Sequence, residues 1–227
     1  MQSEVLPEGD VVRLRAQLER VQGRRLDAPV LPVLPALASL LPGGGLRPGS
    51  AYSIAPSSSL LFALLAAASQ AGSWCGVVGM PQLGAEAAER LGVDLSRLVL
   101  IPDPGTRWLA VTATIAEVLP VVAVRPGGRA SDGDVSRLAA RLRDRGAVLL
   151  VQGPWAQAEA SITVDAPEWT GLGAGHGYLA ERELTVTVAS RRTPVPRRGR
   201  MLLPAVDGTL GSLPEDQSAY VPLEAVG

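Results

Sequence analysis

Three consecutive serines, Ser57 to Ser59, follow a short apolar run ending at Ile54 and open a longer apolar stretch. In a strand–turn–helix unit this is the place where phosphate groups are held. A phosphate-binding loop of the form G-x-x-x-x-G-K-[ST] uses glycine N–H groups as a cradle, a lysine ammonium to reach the β and γ oxygens, and a hydroxyl to hold Mg²⁺. Here the stretch reads Ala55-Pro56-Ser57-Ser58-Ser59-Leu60-Leu61, with two leucines where the cation and the magnesium ligand would stand. The serines can cap a helix or weakly hold an anion at its N-terminus. The chain has no lysine anywhere, and all 21 of its basic residues are arginine. Together with abundant alanine, glycine and proline, this matches GC-rich coding, so the missing lysine carries meaning only in combination with other positions.

Other chemistry-bearing residues are sparse. Cys75 is the sole cysteine and lies in an apolar run, which excludes an internal disulfide or a cysteine-pair metal site and reads as core. His176 lies in Gly171-Leu172-Gly173-Ala174-Gly175-His176-Gly177, a glycine string flanked by β-rich sequence that reads as a turn. Glu86 and Glu89, with Arg90, read as the wet face of a short helix rather than as displaced catalytic acids. Five arginines, Arg191, Arg192, Arg197, Arg198 and Arg200, are interleaved with Pro194 and Pro196. They read as an exposed connector between strands and are also the best candidates for DNA or partner contact, because guanidinium groups bind phosphates bidentately. Trp108, Trp155 and Trp169 are too scattered to stack successive bases and read as core or interface residues.

The elements that would position these residues follow from hydrophobic patterning. With 227 residues, 47% of them hydrophobic and 19% charged, the chain is long enough for one domain with flanking arms and is not generally disordered. A formal net charge of −1 supplies no overall pull towards nucleic acid or anionic lipid. The N-terminus lacks a leader-like pattern and no run is long and apolar enough to cross a membrane, so a soluble, cytoplasmic protein is expected. Val11, Leu14, Leu18 and Val21 recur at helical spacing over Asp10 to Gln22 and predict an amphipathic helix that must cover a surface. Asp27 to Gly49 reads as a Pro/Gly-rich connector, with a helical turn near Leu37 to Leu41.

Beyond it, short apolar runs at Ala51–Ile54, Trp74–Val78, Leu98–Ile101, Val121–Val124 and Val148–Val151 alternate with helical patterns at Ser57–Ala71, Ala85–Leu91, Thr106–Leu119 and Asp132–Arg145. This alternation predicts an α/β fold, three layers with a mainly parallel sheet and helices on both faces. Ser161–Val164, Tyr178 to Leu179, Glu183–Ser190 and Arg200–Leu203 predict an antiparallel extension of that sheet. The organisation is then an N-terminal arm over 1–39, a core over 40–204, and a tail over 205–227 whose apolar residues suit docking on a partner.

Gly44-Gly45-Leu46-Arg47-Pro48-Gly49-Ser50 leading into a strand, and Leu91-Gly92-Val93-Asp94-Leu95-Ser96-Arg97-Leu98 followed by Pro102-Asp103-Pro104-Gly105, resemble the RecA core in order and spacing from Leu40 to Leu203. Within that superfamily, the short length, the N-terminal helix, the Ala71 to Cys75 run and the Gly-His-Gly segment resemble most the actinobacterial ImuA proteins.

The resemblance implies a catalytic glutamate after the second core strand, where the chain has Gly79-Met80-Pro81-Gln82, and a metal-binding aspartate after the fourth, where Val124 runs into Arg125. Lysine, glutamate and aspartate are independent requirements of phosphoryl transfer. With all three replaced, the site around Pro56, Ser57, Ser58, Ser59, Leu60, Pro81 and Arg125 is expected to be degenerate. Neither ATP hydrolysis nor a cofactor or metal is then expected. The resemblance further implies an accessory role in damage-induced, error-prone translesion synthesis, with an ImuB-like inactive polymerase homologue as partner and, through it, a replicative-type polymerase and sliding clamp. An ATPase with an unorthodox site and a DNA-binding accessory protein are the alternatives.

Overall fold

The computed structural model describes residues 29–173, 176–205, 207 and 210–212. The helix expected around Val11, Leu14, Leu18 and Val21 lies outside the described residues, as does most of the C-terminal tail.

The central strands are short runs of β-branched and aliphatic residues with no polar alternation, the pattern of strands covered on both faces. They are β3 (Ala51–Ile54), β4 (Cys75–Val78), β5 (Leu98–Ile101), β6 (Val121–Val124) and β7 (Val148–Gln152), which follow a small antiparallel pair, β1 (Leu31–Pro32) and β2 (Gly45–Leu46). Three longer or later strands, β8 (Ala160–Gly173), β9 (His176–Ser190) and β10 (Arg197–Leu202), and the short β11 (Gly211–Ser212) complete a nine-stranded sheet. Its order is β11-β10-β9-β8-β3-β7-β6-β4-β5. From β8 to β5 every pairing is parallel, and from β8 to β11 every pairing is antiparallel.

Side-chain period divides the core into two layers. Val121, Ala123, Val148 and Leu150 point with Tyr52 and Ile54 towards α2 (Ser58–Gln70), whereas Val122, Val124, Leu149 and Val151 join Trp108 of α4 (Trp108–Ile115) and Leu138 and Leu142 of α5 (Asp132–Arg145). α2 is buried from Leu60 to Ala66 without interruption. It is flanked by α3 (Ala85–Arg90), whose Ala88 is buried beside it. α5 has the opposite character. Val135, Leu138 and Leu142 form its buried stripe, Ser131 caps it by accepting from the Asp134 N–H, and Gly146 ends it in the left-handed region at φ 70°.

The segment read as a connector instead enters the core. Val33, Leu37, Leu40, Leu41 and Leu46 are all buried, with α1 (Pro35–Ala38) supplying Leu37. Leu40 lies so close to β10 that a Cβ on Gly199 would sit 3.2 Å from it. Among the described residues, no helix is long and apolar enough to cross a membrane.

Two consequences are measurable. Leu64 is fully buried in α2, so Leu64→Ala should lower stability by about 2–5 kcal/mol, read as a shift of the urea unfolding midpoint. Burial pushes the Cys75 thiol up to about 12, so it should resist thiol reagents at pH 8 in the native protein and react in denaturant. Reaction at equal rates in the two states would contradict the packing.

Candidate functional site

The turn from β3 into α2 is held by its neighbours. The Ala55 N–H donates to the Ile162 carbonyl of β8 at 2.8 Å, fixing the turn against the sheet. Ser57 then caps α2, its Oγ accepting from the Leu60 N–H at 3.3 Å and lying 3.2 Å from Ser59 Oγ. Pro56, Ser57, Ser58 and Ser59 therefore stand together at the helix N-terminus, as their spacing predicts, while Leu60 is turned into the core.

Beside this turn opens a cavity of about 940 Å³ that the three serines share with Glu86, Arg90, Trp169 and Arg182. Arg182 dominates it. Its Nη2 donates to Ser59 Oγ and its Nε to the Leu203 carbonyl at 2.9 Å. Trp169 is the residue directly opposite Arg182 across the β8–β9 pair, and the guanidinium lies 5.4 Å from the centre of its ring. Partial burial holds the Arg182 pKa below the usual arginine range. The outcome is a cation fixed on a helix N-terminus by a hydroxyl, a carbonyl and an aromatic face.

β4 and β6 are neighbours in the sheet, and the chain runs close together where they end. Gly79 has φ 76°, and a Cβ there would lie 2.7 Å from the Arg125 carbonyl oxygen, so only glycine fits this approach. Pro81 follows in the turn after β4, exposed. Arg125 leaves β6 and donates from Nε and Nη2 to Gln152 Oε1 at 3.0 and 2.8 Å. Gln82 lies against the same guanidinium and accepts from it when its amide oxygen is turned inwards. The structure thus gathers Arg125 and Gln152, the latter from the end of β7, into one cation–amide pair at the carboxyl end of the parallel strands.

The arginine-rich segment is not a single loop, as its prolines suggested. Arg197, Arg198 and Arg200 belong to β10 and pair with Val188, Thr187 and Thr185 of β9, because the strand pattern resumes immediately after Pro196. Period two then separates them. Arg197 donates to the Ser39 carbonyl, Arg200 pairs with Glu183, Arg191 donates to the Ala156 carbonyl and Arg192 pairs with Glu159. Arg198 is exposed. Glu86 lines the cavity with Arg90, whereas Glu89 is exposed on the same short helix. His176 opens β9 opposite Gly173, in a hairpin joint rather than at a helix start.

Arg182 is the site residue that sequence reasoning missed. The signal was present, because extending the alternation of Leu184, Val186 and Val188 two residues back places Arg182 on the buried face of β9. The strand expected from the sequence begins at Glu183, one residue after it. Gln152 was missed by one residue, as the polar end of an otherwise apolar strand.

A mainly parallel sheet between helix layers, extended by an antiparallel edge, with the candidate site on the turn after β3, defines a RecA-like fold. The RadB recombinase structure superimposes on it with a TM-score of 0.59 at 14% identity, over 79% of this chain and 97% of that one. The chain belongs to the family of the MT3502 N-terminal domain, which matches residues 39–157. It is also 34% identical over 167 residues to the uncharacterized protein Rv3395c of Mycobacterium tuberculosis, covering 71% of this chain and 74% of that protein.

Arg125→Met should leave Gln152 Oε1 buried without its donor and lower stability by about 1–3 kcal/mol. Urea unfolding checks this, and an unchanged midpoint would mean that the pair contributes nothing.

Proposed function

We propose that this protein is a non-hydrolytic RecA-fold adaptor that acts by holding a protein partner, in the manner of ImuA proteins with an ImuB-like inactive polymerase homologue during error-prone translesion synthesis. The observation that carries the reading is Arg182 seated on Ser59. The place where a phosphate-binding loop receives its ligand is bridged from within by β9. The replaced carboxylate positions support it, since Pro81 and Arg125 stand where an activating base and a metal ligand would be needed. The assignment to translesion synthesis is supported by the ImuA resemblance of the sequence, carried by the 44–50 and 91–105 segments, the Ala71 to Cys75 run and the N-terminal helix pattern.

A second reading is favoured by the same arginine. A guanidinium beside three serines at a helix N-terminus can itself hold a phosphate, so Arg182 could replace the missing lysine of an unorthodox ATPase. Calorimetry of the full chain with ATP and Mg²⁺ separates the two. The adaptor predicts no saturable heat at millimolar nucleotide, and tight binding that disappears in Arg182→Ala would establish the second reading in its place.

Co-purification with an ImuB-like partner tests the adaptor role directly. Complex formation should survive Ser59→Ala and weaken on deletion of residues 1–23 or 213–227. Indifference to both deletions would remove these segments as the docking surfaces.

A further inference from the structure

A second cavity, of about 690 Å³, lies between the loops that follow β6 and β7, and its lining includes Pro126, Arg129, Asp132, Gln152, Pro154 and Trp155. Gln152 is 6% exposed, and its Nε2 has no hydrogen-bond partner among the described residues. Its amide is not free to turn. Oε1 accepts twice from Arg125, so a flipped amide would face the guanidinium donor to donor. The Arg125 pair therefore fixes the Nε2 donor in place beside the cavity. Buried donors in native structures nearly always have a partner, so one left over at a cavity wall points to a partner supplied from outside.

The walls are held independently of any ligand. Gln157 Nε2 donates to Ser136 Oγ at 3.1 Å, tying the loop after β7 to α5, and Ser53 Oγ donates to the Gly153 carbonyl at 2.6 Å. Arg129 is exposed at the same cavity, with no partner among the described residues. Two donors of different kinds thus line one space whose walls also include Pro126, Val135, Pro154 and Trp155. Among the described residues Asp132 is the only acid in the lining, and its charge opposes a second negative charge on the ligand.

We infer that this cavity binds a carboxylate carried on an apolar body, with Gln152 Nε2 and the Arg129 guanidinium as its donors and Trp155 as its apolar wall. A carboxylate offers planar acceptors to the arginine fork with a single charge, whereas a phosphate dianion would meet Asp132. The inference does not rest on the adaptor reading. The carboxylate can belong to a free small acid or to an acidic side chain of a peptide.

Proton–nitrogen correlation spectra of the full chain test it, read at the Gln152 side-chain amide and the Trp155 indole N–H. The probes are 3-phenylpropanoate, an acetylated and amidated Leu-Glu-Leu peptide, inorganic phosphate and a thymidine oligonucleotide. A saturable shift at both resonances with either carboxylate probe is expected, and the tighter of the two names the source. The affinity should fall at least tenfold in Gln152→Glu, which keeps an acceptor for Arg125 while removing the donor. The exposed Arg129→Gln should do the same and decides alone if Gln152→Glu does not fold. Absence of saturable shifts, shifts indifferent to the substitutions, or tighter binding of phosphate or oligonucleotide would overturn the assignment.

Discussion

A helix with almost no polar face can exist in water only if every side of it is covered, and α2 imposes that demand on the rest of the chain. Tyr52 and Ile54 of β3 cover it from the sheet, Ala88 from α3, and Val33, Leu37, Leu41 and Leu46 from the segment before β3. The Pro/Gly-rich stretch is therefore structural, and its glycines let the chain turn tightly enough to return apolar side chains to the same core, as the left-handed Gly43 does at φ 76°. At the N-terminal end of α2 this cover gives way to a cavity, which Trp169 of β8 and Arg182 of β9 help to line.

That opening explains how Arg182 is held. The N-terminus of a helix carries about half a positive charge, so a guanidinium there is electrostatically misplaced unless its donors meet acceptors. Ser59 Oγ and the Leu203 carbonyl provide acceptors, and the Trp169 ring faces the cation with its negative π surface. Arg125 is treated similarly, gripped by the Gln152 amide oxygen at the next strand ends. Both arginines are anchored by neutral groups in a region where the RecA-like chemistry implied by sequence would place carboxylates, phosphate and a metal ion.

Much of this was legible in the sequence because the patterns are local. Five core strands and α5 have the bounds or nearly the bounds that apolar runs, a serine cap and Gly146 predict. The strand pairs after Pro154 announced the antiparallel edge, but not its scale: β8 and β9 run 14 and 15 residues, carried through polar and glycine-rich sequence by pairing with each other. Their irregularities between Asp165 and Glu168 and between Thr170 and Leu172 break the alternation on which a strand reading depends. α4 starts later than its pattern because Gly105–Arg107 forms a tight 3-10 turn first, and it ends at Ile115 rather than Leu119. The Arg182–Ser59 contact spans 123 residues of sequence, and no local signal could pair them.

An anion cradle built from a helix N-terminus, a lysine and a metal-binding carboxylate leaves unmatched charge whenever the ligand is absent, and in proteins of that design binding energy completes the fold locally. Here the corresponding positions complete themselves. Arg182 closes on Ser59, Arg125 closes on Gln152, and Gly79 lets the chain after β4 pass close to the Arg125 carbonyl. At these strand ends Gln152 Nε2 has no partner among the described residues, and the oxygen of the same amide, already committed to Arg125, keeps it from turning away. Among these groups the unmet hydrogen bond therefore lies beside the loops after β6 and β7, while the turn after β3 is met by Arg182.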